Sequence, residues 1–175
     1  MAGALAWDHA VHDIPDSGLS KICRATPDEL VAIAQALDLI ACSGLVATYT
    51  ITPTGGDHYR LAGRLEASLQ QACVVTLEPL PATIEETFDV AFRPEADMPP
   101  PASGSVVLDD EPEPEPIVAG QIDVGRIVFE CLAGAIDPFP RKADATLDHV
   151  AAGPEGRDAR PESPFAVLSR IKEKR

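Results

Sequence analysis

Three stretches of the chain alternate apolar with polar side chains, and this pattern restricts the fold more than any other feature. The stretches are LVATYTIT (45–52), HYRLAGRLEASLQQAC (58–73) and TIEETFDVAF (83–92). A period of two places the apolar side chains on one face of a strand. The sequence PTGGD lies between the first two stretches and predicts a turn, because paired glycines supply the dihedral angles of a chain reversal. The sequence therefore predicts an antiparallel sheet within residues 45–93, with one face in water.

Two other segments have the spacing of helices that pack on one side. TPDELVAIAQALDLIAC predicts a helix near 27–42, with Thr26 as its N-cap. IDVGRIVFECLAGAI predicts a second helix near 123–136, with Asp123 as N-cap and Glu130 outside the apolar stripe. The end of the chain, SPFAVLSRIKEKR, indicates a short C-terminal helix.

Strands joined by hairpins and followed by a helix favour an α+β domain over a parallel α/β fold. We expect residues 1–175 to form one such domain, with both main helices packed on the antiparallel sheet. The N-terminal stretch ALAWDHAVHDI is a candidate for one further strand. Alternation leaves open whether the sheet is barrel-like.

Residues 94–117 differ in composition from the rest of the chain. The stretch PEADMPPPASGSVVLDDEPEPEP contains seven acids and many prolines, but no Lys or Arg. Such a segment buries too little apolar surface to offset the entropy of ordering it. We therefore expect a long, disordered acidic loop, which is either a solvated linker or a binding segment, and a second flexible segment at 143–162.

The charge of the chain favours basic partners. It has 28 acidic and 14 basic residues, a net charge of −14, and bases exceed acids only in residues 141–175. Phosphate backbones bind clusters of Lys and Arg, so most of this surface would repel nucleic acid. An acidic body instead attracts basic macromolecules. Since neither a membrane span nor a signal peptide is evident, we expect a cytoplasmic protein that binds neither membrane nor DNA.

No pattern in the sequence indicates catalysis or a cofactor. The four cysteines have no C-x-x-C spacing, and the four histidines have no metal-ligand spacing with them or with one another. Cys73 is a candidate nucleophile, but its apolar neighbours and nearby acids predict a raised thiol pKa. We expect no enzymatic activity; a thiol- or metal-dependent enzyme that uses Cys73 is the least favoured alternative.

Several motifs occur in a specific order along residues 10–175. They are CVVTLEP followed by an alternating strand, the acidic insert, IVAGQIDVGRIVFECLAGAIDPFPRK and the terminal SPFAVLSRIK. Together they resemble the YceD family, bacterial and plastid proteins named for large ribosomal RNA subunit accumulation. The resemblance implies a non-enzymatic role in accumulation of 23S rRNA or maturation of the large subunit. Genes of this family often lie beside one for a small, basic large-subunit ribosomal protein.

Many members of that family contain a C-x-x-C-L-E-P element. In this chain Cys73 and Leu77-Glu78-Pro79 match it, but Thr76 replaces the second cysteine. This departure removes the paired thiols that a zinc ion would need. The stretch is therefore interpreted as a structural bend and a surface.

We expect a basic ribosomal protein or a large-subunit precursor particle as the partner. The acidic loop would attract it, while Leu77–Pro79 and Phe139–Pro140 would supply shape. The alternative is direct rRNA contact by a basic end, comprising Arg141, Lys142, Arg170, Lys172, Lys174 and Arg175. The predicted interaction residues are Cys73, Leu77, Glu78, Pro79, Asp109, Asp110, Glu111, Glu113, Glu115, Asp123, Glu130, Phe139, Pro140, Arg141 and Lys142.

Overall fold

The structure, a computed structural model, describes residues 4–98 and 113–146. The elements below all lie within one unit, Met1–Ala145. In chain order they are β1 (Asp8–Ala10), β2 (Leu19–Arg24), α1 (Pro27–Ala36), β3 (Ala41–Gly55), β4 (His58–Ala72), β5 (Pro79–Pro94), β6 (Glu115–Ile117), β7 (Gln121–Asp123) and α2 (Val124–Ala135).

The main sheet is open and has the strand order β2-β3-β4-β5-β6. Strands β2 to β5 are antiparallel neighbours, as predicted for residues 45–93, whereas β6 pairs parallel with the end of β5. In the β3–β4 hairpin, Leu45 lies opposite Ala67 and Ile51 opposite Leu61. The fold is therefore α+β. Because β2 and β6 are edge strands in the described part of the chain, the barrel alternative is wrong.

The inner face of the main sheet is the apolar side of the alternating pattern. Helix α1 packs against β3, and α2 packs against β4 and β5. The most deeply buried residues of this face, each at most 3% exposed, are Leu45, Ala47, Tyr49, Ile51, Leu61, Leu65, Ala67, Leu69 and Phe92. Removing this apolar surface from water stabilises the fold more than any other contribution.

Helix α1 is shorter than predicted. Its capping box is present, since the Thr26 hydroxyl accepts the Glu29 N–H at 3.3 Å. However, the helix ends at Ala36, and β3 has already begun at Ala41. The prediction of a helix through residue 42 is wrong because the apolar residues at its end fit a strand equally well.

Helix α2 confirms the second predicted helix. The Asp123 side chain accepts the Arg126 N–H at 2.8 Å, as an N-cap does. Five residues of this helix are buried, including Ile127 and Leu132. Among the described residues, no helix has the length and apolar character to cross a membrane.

The N-terminal stretch forms a strand, but in a separate two-stranded sheet. There β1 pairs antiparallel with β7. His9 Nε2 lies 2.7 Å from the Tyr49 hydroxyl, which links this small sheet to the core of the main one. The strand that extends the main sheet is β2, which pattern analysis missed because most of its side chains are exposed.

The predicted disordered insert at 94–117 has ordered ends, so its boundaries are wrong. Residues Glu95–Asp97 form a 3₁₀ turn directly after β5, and Glu115–Ile117 is β6. Pairing with β5 and burial of Ile117 supply the contacts that composition alone does not indicate. Asp109, Asp110 and Glu111, the predicted C-terminal helix, and residues 147–162 of the predicted flexible segment lie outside the described residues.

Candidate interaction surfaces

Two loops meet at the end of the sheet where β4 leads into β5. The first is residues 73–78, and the second is residues 137–142, which follow α2. We call them the paired loops. Pro79, another predicted interaction residue, begins the adjoining strand β5. Seven predicted interaction residues lie in the paired loops: Cys73, Leu77, Glu78, Phe139, Pro140, Arg141 and Lys142.

Backbone and side-chain bonds hold the paired loops against each other. The Val74 N–H donates to the Pro140 carbonyl at 2.9 Å. Lys142 forms a salt bridge with Glu78, and its hydrogen bond holds the pKa of Glu78 below the usual range. The pair is therefore charged at neutral pH, although an exposed ion pair adds little stability by itself.

The first loop is a tight turn that presents apolar side chains to solvent. The Leu77 N–H donates to the Cys73 carbonyl at 2.8 Å, and Leu77 has a φ of +60°, a region that residues with a side chain rarely occupy. Leu77 is 76% exposed, Phe139 on the second loop 75%, and Val74 52%. Large apolar side chains exposed on a fixed frame are typical of protein-binding surfaces.

Cys73 is enclosed between the loops, and its thiol is acidic. It is 0% exposed, yet its pKa is lowered from 9.0 to about 6. The Thr76 hydroxyl is the strongest donor to the sulfur, followed by the backbone N–H groups of Lys142, Thr76 and Val75. Desolvation opposes them only partly, because the cover is two loops near the surface. The predicted increase of the pKa is wrong, since sequence neighbours do not reveal N–H groups that point at the sulfur.

These bonds define what Cys73 can do. Cys73 is buried from solvent. In residues 4–98 and 113–146 there is no group of three or more His, Cys, Asp or Glu that could hold a metal ion. The residues present do not fit zinc. The groups that lower the pKa of this thiol by hydrogen bonding come from both loops, Thr76 and Val75 from the first and Lys142 from the second.

A second surface lies at the other end of β5. We call it the acidic cleft, a cavity of about 530 Å³. Its lining combines three carboxylates with one guanidinium and apolar side chains: Asp8, Phe92, Glu115, Pro116, Val118, Gln121, Asp123 and Arg126. Val118 is 55% exposed.

Arg126 organises the acidic cleft. It binds Glu115 at 2.8 Å and Glu130 at 3.0 Å, and its backbone N–H binds Asp123 at 2.8 Å. The structure thus brings three predicted residues together around a residue that the prediction missed. The available signal was that Arg126 is the one base in residues 94–140. Glu113, also predicted, is exposed and precedes β6.

The two surfaces are far apart. β5 contains 16 residues, so its ends are separated by up to roughly 50 Å at ~3.3 Å per residue. The paired loops adjoin its first residue and the acidic cleft adjoins Phe92. No small ligand can contact both surfaces, but one macromolecule can.

The fold of the described residues defines the class of the protein: an α+β protein with a mostly antiparallel sheet and two helices. The family model described as Large ribosomal RNA subunit accumulation protein YceD matches residues 61–172. This match covers more than half of the chain, both paired loops and α2, and the chain belongs to the YceD family. The family description concerns accumulation of large-subunit ribosomal RNA, and it names no enzymatic reaction. No curated protein and no solved structure matches the chain.

Proposed function

We propose that this protein supports accumulation or maturation of 23S rRNA without catalysis, by binding a basic ribosomal protein or a precursor particle of the large subunit. The family supplies the process. The paired loops are the observation that best supports a binding role. Their apolar side chains are exposed, and hydrogen bonds fix the loops that present them.

The paired loops provide the affinity in this proposal. Covering one large apolar side chain contributes about 1.5–3 kcal/mol, and Leu77 and Phe139 are both about three-quarters exposed. Because the loops are already ordered, binding loses little conformational entropy in them. In protein interfaces, apolar side chains of this kind form the centre of the contact and charged residues its rim.

The acidic cleft provides charge complementarity. Its lining has three carboxylates against one guanidinium, and the whole chain has a net charge of −14. Charge of this sign speeds association with a basic protein and makes it sensitive to salt. Asp109, Asp110 and Glu111, together with Glu113 and Glu115, are proposed to extend the attraction.

The alternative of rRNA contact by the basic end receives less support. Lys142 is bound by Glu78, and Arg141 donates to the Ala145 carbonyl at 2.6 Å. Both side chains are therefore engaged within the protein. The remaining members of that group lie outside the described residues.

Complementation of a strain lacking the gene tests this function. We expect the L77N/F139S variant to reduce the level of 23S rRNA, because Asn tolerates the backbone angles at Leu77 while both apolar contacts are removed. The matched control is V31S/I40S, which changes two apolar residues, Val31 in α1 and Ile40 before β3, that are 57% and 49% exposed. Full rescue by L77N/F139S, at the protein level of the wild type, would contradict the proposal.

A further inference from the structure

The outer face of the main sheet is turned away from the core. It comprises the even-numbered residues of β2, of β3 from 46 to 52 and of β4 from 60 to 70, and the odd-numbered residues of β5 from 81 to 93. All of these side chains are exposed or half-buried. In an antiparallel sheet with one packed face, this is the face left to solvent.

The charge of the outer face differs from that of the rest of the protein. Arg24, Arg60, Arg64 and Arg93 lie on it, four of the eight basic residues in the described ranges. Glu66, Glu85 and Asp89 are its acids, three of the twenty acidic residues there. The outer face therefore has a net charge of +1, while the remaining described residues sum to −13.

The four arginines differ in what they contact. Arg60 Nε donates to Asp89 at 2.7 Å, and Arg64 lies 3.5 Å from Glu66. Within the described ranges, Arg24 and Arg93 form no ion pair. Exposed ion pairs are weak, so a phosphate can compete for the first two arginines as well.

Hydroxyls are the most frequent of the other side chains on the outer face, which also includes the exposed Ile22. Seven are hydroxyls, including Thr48, Thr52 and Thr87, and Ser and Thr hydroxyls together with Arg make many of the contacts to phosphate and sugar. None of its described side chains is aromatic. Base stacking on aromatic side chains is therefore not its mode of binding.

We propose that the outer face binds the sugar–phosphate backbone of RNA. This rests on the proposed function and deepens it, because it gives the RNA a surface separate from the paired loops and the acidic cleft. The acids elsewhere do not cancel the attraction. Charges are screened over about 8 Å at physiological ionic strength, while the helices behind the sheet are about 10–12 Å in diameter.

A salt titration of RNA binding tests the proposal with the full chain. The probe is a labelled single-stranded RNA of mixed sequence, and the variant is R24Q/R64Q/R93Q. The logarithm of the affinity falls with the logarithm of the salt concentration, and each lost phosphate contact makes this slope shallower by about 0.7. We therefore expect the slope of the variant to be shallower than that of the wild type by about 2. The matched control, R170Q/K172Q/K174Q, removes the same charge from the basic end and should leave the slope unchanged.

Two results would overturn the inference: no RNA binding by the wild type at about 50 mM salt, or loss of the slope in the control variant alone. Thermal unfolding of both variants verifies that each is folded. Titration with a basic ribosomal protein separates this inference from the proposed function. If R24Q/R64Q/R93Q loses RNA binding but still binds the basic protein, the result supports RNA binding by the outer face. If the wild type binds RNA but no basic protein, the result overturns the proposed function and leaves this inference intact.

Discussion

At the scale of single residues, Thr76 shows how one substitution changes the chemistry of a motif. In the C-x-x-C-L-E-P pattern a cysteine would stand there, and two thiols could share a metal. Thr76 instead lowers the pKa of Cys73 through its side-chain hydrogen bonding. The hydroxyl is also within reach of Glu78, at 3.2 Å. A potential ligand pair has thus become a hydrogen-bonded turn.

Replacing Thr76 by Val should raise the pKa of Cys73 from about 6 toward the ordinary value of 9.0, because the hydroxyl is the strongest donor to the sulfur. Thiolate absorbance against pH, taken as the difference from the C73S variant, measures this shift. The control is T87V, on the exposed side of β5. An unchanged titration in T76V would contradict the assigned hydrogen bond.

The same pKa gives stability a pH dependence of known sign. The pKa in the folded state lies below that of the unfolded chain, so the thiolate stabilises the folded state. This contribution is complete above pH 9.0 and disappears as the pH falls to about 6. The free energy of unfolding of the wild type, minus that of the C73S variant, should therefore increase as the pH rises from about 6 to 9.0. A difference that does not change with pH would contradict the lowered pKa.

Gly63 is required by close packing. A Cβ there would lie 2.6 Å from the Thr48 carbonyl and 2.8 Å from Phe88, so G63A should destabilise the protein by about 1–3 kcal/mol. In α2, a Cβ at Gly134 would meet no atom within 4 Å, and G134A should stabilise by about 0.5–1 kcal/mol. Urea unfolding measures both, and a G63A variant as stable as the wild type would contradict the packing.

At the scale of elements, local patterns predicted what local interactions decide. The β3–β4 hairpin follows from alternation and its glycine turn, and α2 follows from its periodicity and cap. By contrast, β6 is held by pairing with β5 and by the Glu115–Arg126 bond. Such contacts depend on residues distant in sequence, so composition predicted disorder there. The residues of the paired loops could be singled out by their motif, but the donors around Cys73 could not.

The cap of α2 gives a prediction at this scale. D123A should lower the free energy of unfolding by about 1 kcal/mol, because the Arg126 N–H loses its partner. D123N should retain most of the stability, since an Asn side chain also accepts this hydrogen bond. Chemical unfolding measures the stability of D123A and D123N. Equal stability of D123A and the wild type would contradict the assignment of Asp123 as the N-cap.

At the scale of the whole molecule, the distribution of surfaces supports the proposal that a strongly acidic protein assists the large ribosomal subunit by binding. The paired loops, with their exposed apolar side chains, lie at one end of β5, and the acidic cleft lies near the other end. Half of the described basic residues lie on the outer face. In the proposed account, a basic protein and an RNA bind different sides of one chain. The proposed non-enzymatic role requires only such binding.

The affinity of the purified chain for a purified basic protein of the large ribosomal subunit, measured at increasing salt, decides whether binding underlies the function. We predict saturable binding that weakens as salt increases. We also predict a loss of at least about tenfold in L77N/F139S, since each apolar contact contributes about 1.5–3 kcal/mol and about 1.4 kcal/mol is tenfold. No binding at low salt, or binding indifferent both to salt and to this variant, would contradict the proposed role.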